Sequence, residues 1–390
     1  MKAGILPQQH PDPVPARQPL PQFSFSSGSQ LLTAWDLGTP LTLAAVDGDQ
    51  PGSALQQAVQ SAFQRARAAG QPRPLLVGAI PFDASQPSCL YVPHRYQWQR
   101  AATAQPAHTP QPPLLNQRNV PDAAAFKQAV TRMVHRFRGS DLCKAVLSVQ
   151  RQLTFAADVD LEALRDNLRA QNPHGYLFQV PMLGDSTLLG VSPELLVRRH
   201  GNAMLSHPLA GSARRHSDPH ADRDSAERLA ASSKDHYEHQ LVVDDIRHQL
   251  QGWCCRLQIP AQPSLTSTSA LWHLATRIEA ELVQPAPTAL QLACRLHPTP
   301  AVCGHPTAAA RQLIQSLEPF ERGLFTGTVG WCDADGNGEW VVTIRCGTVC
   351  RNQVRLFAGA GIVAASDPDA EWDEVQTKLG TMLRACGLPQ

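Results

Sequence analysis

Of the 34 lysines and arginines in this 390-residue chain, only five are lysine: Lys2, Lys127, Lys144, Lys234 and Lys378. Lys144 opens the apolar run KAVLSV. A lysine there either snorkels from a strand end or is a desolvated amine whose lowered pKa lets it act as a base near neutrality. Glu194 lies in an equally apolar run, GVSPELLV. A carboxylate in such surroundings is paired, or is held protonated by a raised pKa. A base and an acid shifted towards each other are the two halves of proton-transfer chemistry.

Two further acidic sets have helical spacing. In SSKDHYEHQLVVDD, Asp235 and Glu238 share a helix face. In SDPDAEWDEVQTKL, Ser366 or Asp367 caps a helix with Pro368 at its first position, and Glu371, Glu374 and Lys378 project from one side. Either set could be a solvated amphipathic face. Carboxylates brought together from two helices would instead suit Mg2+, which takes few protein ligands. Arg345, a charge inside the strand-like run VVTIRC, calls for an anion, and a substrate carboxylate would serve.

Other motifs are decoys. DADGNGE begins like a calcium loop, but its twelfth position is Ile344 and its flanks read as strands, so it is a hairpin turn. HYEH lacks the four-residue histidine spacing of a helical zinc site, and GAG (359–361) is too short for a dinucleotide fingerprint. Neither G-x-S-x-G nor a Walker-type phosphate loop occurs. Cys346 and Cys350 have no second ligand pair, and the ten cysteines, without framework spacing, read as free thiols.

The elements that must position these residues follow from periodicity. Strands are expected at LTLAAVDG, PLLVGAIPF, KAVLSVQRQLTF, GYLFQVPML, STLLGVSPELLVRRHG and AMLSHPLAG. More follow in the hairpin around DADGNG and in QVRLFAGAGIVAASD. Helices are expected at SALQQAVQSAFQRARAAG, PDAAAFKQAVTRMVHRFRGSD, DLEALRDNLRAQ, 222–256, 306–319 and EWDEVQTKLGTMLRAC. Residues 1–30 read as an irregular arm and 104–118 as a surface crossing. Long antiparallel strands with inserted helices imply an α+β architecture.

Composition narrows the function classes. With 34 basic against 33 acidic residues and a pI near 7.7, the chain lacks the basic footprint of a nucleic-acid binder. No uninterrupted apolar run spans a membrane, and the proline-broken N-terminus does not read as a signal peptide, so a cytoplasmic location is expected.

LSHPLAGSARR, SPELLV, SKDHYEHQLV, LWHLAT, HPTPAVCG, GWCDADGNGEWVVTIRC and RLFAGAGIVAASDPDAEWDEVQTKL together resemble the chorismate-utilising enzymes. Within them the chain looks most like the siderophore-pathway, enterobactin-type isochorismate synthases. The likeness covers 119–386, a chorismate-binding catalytic region, and treats 1–118 as a divergent N-terminal part of the same fold. It implies a large two-lobed sandwich of mainly antiparallel sheets with helices outside. It also implies Mg2+-dependent isomerisation of chorismate to isochorismate, water adding at C2 as the C4 hydroxyl leaves.

By that resemblance Lys144 activates water and Glu194 protonates the leaving hydroxyl. Glu238 and Glu374 match the metal ligands, with Asp235 and Glu371 as outer-shell or alternate carboxylates. Arg345, Gly211, Gly361 and Lys378 would hold or orient the substrate's carboxylates, with His273 and Ala301 also at the substrate. Gly211 would let backbone approach a carboxylate with no side chain between. Lys144 replaces the glutamine of ammonia-using relatives, and Ala210 stands where amino-transfer relatives place a nucleophilic lysine. Water as nucleophile follows. Val149 and Gln240 depart from the family pattern, an arginine and an acid respectively. The alternatives are a salicylate synthase, which goes on to eliminate pyruvate, and a catalytically inactive relative serving as a binding subunit. A downstream isochorismatase is the one protein partner implied, by transient contact.

Overall fold

Lys144–Phe155 alternates its side chains across a twelve-residue strand and pairs antiparallel with Gln353–Val363 along its first eleven positions, from Lys144 opposite Val363 to Thr154 opposite Gln353. In this computed structural model, which describes residues 21–101 and 110–389, that pair lies towards one end of a ten-stranded sheet, with only Gly304–His305 and Leu114–Val120 beyond it. The sheet continues through Cys346–Cys350, Thr187–Ser192, Tyr176–Pro181, Phe23–Ser27, Gln30–Trp35 and Arg95–Arg100. An eight-stranded sheet carries Leu195–His200 between Ala203–His207 and Gly338–Val342. A third sheet of three strands joins Leu209–Arg214, Leu271–Ala275 and Ser264–Ser267.

The two large sheets bury one apolar cluster between them, Phe25, Phe178 and Val180 from one against Val77, Val329 and Val341 from the other. Helices cover the outer faces. Phe126, Val130, Met133 and Phe137 make a stripe at helical spacing that buries the Ala123–Phe137 helix against the ten-stranded sheet. Ser233–Gln249 buries Val242 and Ile246 in the cluster on the eight-stranded sheet. Full burial of each such side chain contributes about 1.5–3 kcal/mol. The closing helix Pro368–Ala385 starts as its sequence dictates: Asp367 caps it and Pro368 takes the first turn, where its missing N–H costs nothing.

Several expectations need correction. LTLAAVDG is not a strand: only Leu41 bridges, to Leu90, and turns follow. The expected irregular arm contains strand Phe23–Ser27, while residues 1–20 lie outside the described residues. Part of the expected surface crossing is strand Leu114–Val120, exposed at most positions and paired with Lys144–Phe155, so its side chains carry no apolar alternation to read. STLLGVSPELLVRRHG is two strands, broken at Pro193 and Glu194 where the chain passes from one large sheet to the other. The 222–256 helical region is two helices, Pro219–Ala231 and Ser233–Gln249, followed by strand Cys254–Gln258.

Candidate active site

The site assembles where the chain crosses between sheets. Glu194 lies on the crossing from Thr187–Ser192 to Leu195–His200. Arg345 lies on the return crossing from Gly338–Val342 to Cys346–Cys350, at a positive φ of 50°. The expected strand-core arginine is thus a linker residue. The two crossings are stapled together: Val342 N–H donates to the Glu194 carbonyl and Val191 N–H to the Arg345 carbonyl, each at 3.1 Å.

Glu194, Gly211, Glu238, His273, Ala301, Arg345, Gly361, Glu374 and Lys378 line one cavity. Burial pushes the Glu194 carboxyl up to about 7, although the Leu209 N–H, Lys144 and Arg345 all work against the shift. It is an acid poised to give up a proton near neutrality. Arg345 is buried, which pulls its guanidinium down to about 10 while leaving it charged. Among the described residues no carboxylate pairs with it directly. That is the condition of a group awaiting an anion.

His273 is held as a neutral imidazole, its pKa pushed down to about 3 by burial and by the neighbouring Arg345 and Lys378 cations. Its Nδ1 lies 3.3 Å from the Gly211 carbonyl, to which it donates, leaving Nε2 as a buried acceptor with no protein partner. Gly211 itself has φ +76°, and its Cα packs on Asp235, so a Cβ there would come within 2.9 Å of the Asp235 Cβ.

Lys144 is placed differently from the other sequence-derived candidates. It is fully buried behind the cavity wall, its Nζ 2.9 Å from Glu238 Oε1. Lys378 pairs with Glu374 and also donates to the Gly359 carbonyl at 3.0 Å. Burial works upward on Glu374, but the adjacent Lys378 outweighs it and the carboxyl is lowered.

Asp235 and Glu371 do not line this cavity. They face the adjoining cleft between the Ser233–Gln249 and Pro368–Ala385 helices. Burial, reinforced by the charge of Glu374, pushes Glu371 up to about 7 despite its 2.6 Å pairing with Lys234. Burial likewise raises Asp235, which holds the Ser232 cap. Glu238 and Glu374 are oxygen donors of the kind a hard divalent cation takes, and such an ion would relieve the repulsion that Asp235 and Glu371 feel from them. Among the described residues no three candidate ligands already converge, since Lys144, Lys378 and Lys234 each hold one carboxylate.

Residues 83–387 match the family model described as "Chorismate binding enzyme". The chain belongs to the chorismate-binding enzyme family. Among its relatives, isochorismate synthase EntC of Escherichia coli is 46% identical over 349 residues, covering 88% of this chain and 89% of that protein. Isochorismate synthase DhbC of Bacillus subtilis is 42% identical over 88% of each. The solved structure of DhbC from Bacillus anthracis superposes with a TM-score of 0.88 at 39% identity, covering 94% of this chain and 96% of that one.

The cavity also has an apolar wall, which sequence reasoning missed. Phe325 and Phe357 stack at 5.0 Å and 15° and both line the cavity. They come from distant segments, so no local spacing joins them. The support beneath was missed too. Buried Arg322 pairs with Glu318 and donates to the carbonyls of Val146 and Val302 at 2.7 and 2.8 Å and to Thr326 Oγ1 at 3.2 Å. Those three acceptor residues all line the cavity.

Proposed function

We propose that this chain is an isochorismate synthase acting for 2,3-dihydroxybenzoate-based siderophore synthesis. The observation that carries the reading is one cavity in which a carboxyl titrating near 7, Glu194, shares its walls with the unpaired cation Arg345 and with Lys378. Chorismate is a dicarboxylate with a leaving hydroxyl, and this is complementary chemistry. Lys144, as the free amine, takes a proton from water as the water oxygen bonds to C2. Both ring double bonds shift, C1=C2 to C1=C6 and C5=C6 to C4=C5, the C4–O bond breaks, and Glu194 gives its proton to the departing hydroxyl. One water enters and one leaves. Arg345 and Lys378 hold carboxylates, neutral His273 offers its Nε2 to a ring hydroxyl, and the phenylalanine stack excludes bulk water.

Magnesium, held by Glu238 and Glu374, would supply positive charge for the substrate's carboxylates. We place the reaction in the cytoplasm, with an isochorismatase as downstream partner; the described residues include no helix long and apolar enough to cross a membrane. Ala210 supports water over an amine nucleophile, since the cavity wall offers no lysine there. Incubating the purified chain with chorismate and Mg2+ and resolving products by chromatography tests the reading. Isochorismate is expected. Salicylate with pyruvate would make it a salicylate synthase, and no turnover would leave a binding subunit.

A further inference from the structure

A second cavity opens beside the first, and Arg345, Pro193 and Leu209 line both. The catalytic cavity has about 60 Å³ of free volume, against about 430 Å³ for its neighbour. The wider space therefore gives a small dicarboxylate room to gather beside the narrower one, against their shared Arg345 wall. The larger chamber runs from an exposed rim at Pro173, His174, Ser267 and Ser269 to a buried floor at Arg345. Among the described residues not one carboxylate lines it. Across the rim, Ser269 Oγ donates to Asn172 Oδ1 at 3.2 Å, a single exposed hydrogen bond between a helix end and a strand turn.

The cleft on the other approach has the opposite character. Asp235, Glu371, Asp373 and Glu374 line it against Lys234 and Arg214. A dianion is disfavoured there, whereas a cation is drawn in.

We propose that the carboxylate-free chamber is a vestibule that receives the anionic substrate on Arg345 and passes it through the Pro193–Leu209–Arg345 partition. The inference rests on the functional reading above, which names the substrate as a small dicarboxylate. Arg345 then serves twice, first as the floor of the vestibule and then as a wall of the catalytic cavity.

The test separates a doorway from a binding site. Narrowing a doorway slows entry and exit by the same factor and leaves Kd unchanged, whereas altering a binding contact changes Kd. In a Glu194→Gln background that holds chorismate unreacted with Mg2+ present, stopped-flow fluorescence would compare the chain with and without Ser267→Trp. Ser267 is exposed on the rim, so the fold tolerates the larger side chain. Association and dissociation rates are both expected to fall on the order of tenfold, with Kd within about twofold. Unchanged rates, or a changed Kd with an unchanged association rate, overturn the vestibule while leaving the functional reading intact. Absence of chorismate binding before Ser267→Trp is introduced overturns that reading, and the vestibule with it.

Discussion

Lys144 Nζ and Glu238 Oε1 form a 2.9 Å ion pair in which the lysine is wholly buried and the glutamate nearly so. The proposed base therefore lies against a proposed metal ligand: as an ammonium it is that carboxylate's counter-charge, and only as the free amine does it take a proton from water. Removing it strands a buried carboxylate, a loss on the order of 3–5 kcal/mol. Lys144→Ala is expected to abolish turnover and to lower the melting temperature of the metal-free chain. Added Mg2+ should then stabilise the variant more than the unsubstituted chain, because the cation replaces the missing charge. Equal shifts in a thermal melt would separate Glu238 from the cation.

Glu194 sets the pH dependence. Its carboxyl is raised from 4.5 to about 7, so the protonated form proposed to donate to the leaving hydroxyl declines as pH rises through 7. We expect kcat/KM to fall above that pH. Stability follows the same sign: between 4.5 and 7 the folded state keeps a proton that the unfolded chain has released, so this contribution is full below 4.5 and is lost as pH rises through 7. Glu371, also raised to about 7, adds in the same direction. Neutral Glu194→Gln should lose activity and flatten part of the stability profile, measured by urea unfolding across pH. A kcat/KM that stays level from pH 6 to 8.5 would remove Glu194 from the acid role.

Gly361 is required by space rather than by conformation. A Cβ there would lie 2.1 Å from Glu238 Oε1 and 3.0 Å from Lys144 Cε. Gly361→Ala should therefore break the pair and reduce kcat by about a hundredfold or more, as misplacement of about 1 Å does in a preorganised site. Gly359 meets mainly the Ser148 hydroxyl at 2.7 Å, a side chain able to turn aside, so Gly359→Ala should cost less. Parallel kinetics on the two variants make the comparison.

Arg322 should matter to both fold and site. It and Glu318 are each about 3% exposed, and Glu318 in turn accepts the Ser148 N–H at 2.8 Å. Arg322→Met is expected to cost about 3–5 kcal/mol in chemical denaturation by leaving Glu318 unpaired in the interior. The double variant Arg322→Met with Glu318→Leu should recover much of that stability without recovering kcat. Full recovery of kcat would reduce the pair to a purely structural role.

The sequence was most informative where one element carries the signal. The long strands, the Asp367–Pro368 helix start and the DADGNG hairpin are local patterns, and the structure has them. Helix Ala289–Leu296 went unread although Thr288 and Gln291 form a capping box ahead of an apolar run, the signature of a helix start. Candidate residues could be listed from their chemistry, but their neighbours could not. The Lys144–Glu238 pair spans 94 positions, and the position of Lys144 behind the cavity wall depends on which way a strand's first side chain faces. The sheet crossings at Glu194 and Arg345 look like continuous strand in the sequence because apolar residues flank them on both sides. Only tertiary structure turns such a run into a bend.

The reciprocal backbone bonds between those crossings have a mechanical meaning. Glu194 and Arg345 each sit on a strap joining the same two sheets, and the carbonyl of each accepts an N–H from a strand end, Val342 in the eight-stranded sheet and Val191 in the ten-stranded one. Glu194 is thus anchored on the eight-stranded sheet's side and Arg345 on the ten-stranded sheet's, so shear of one sheet past the other would part the proposed proton donor from the proposed anion holder. Catalytic activity thus becomes a gauge of sheet alignment. Upon heating, it should fade while the strands themselves are still intact.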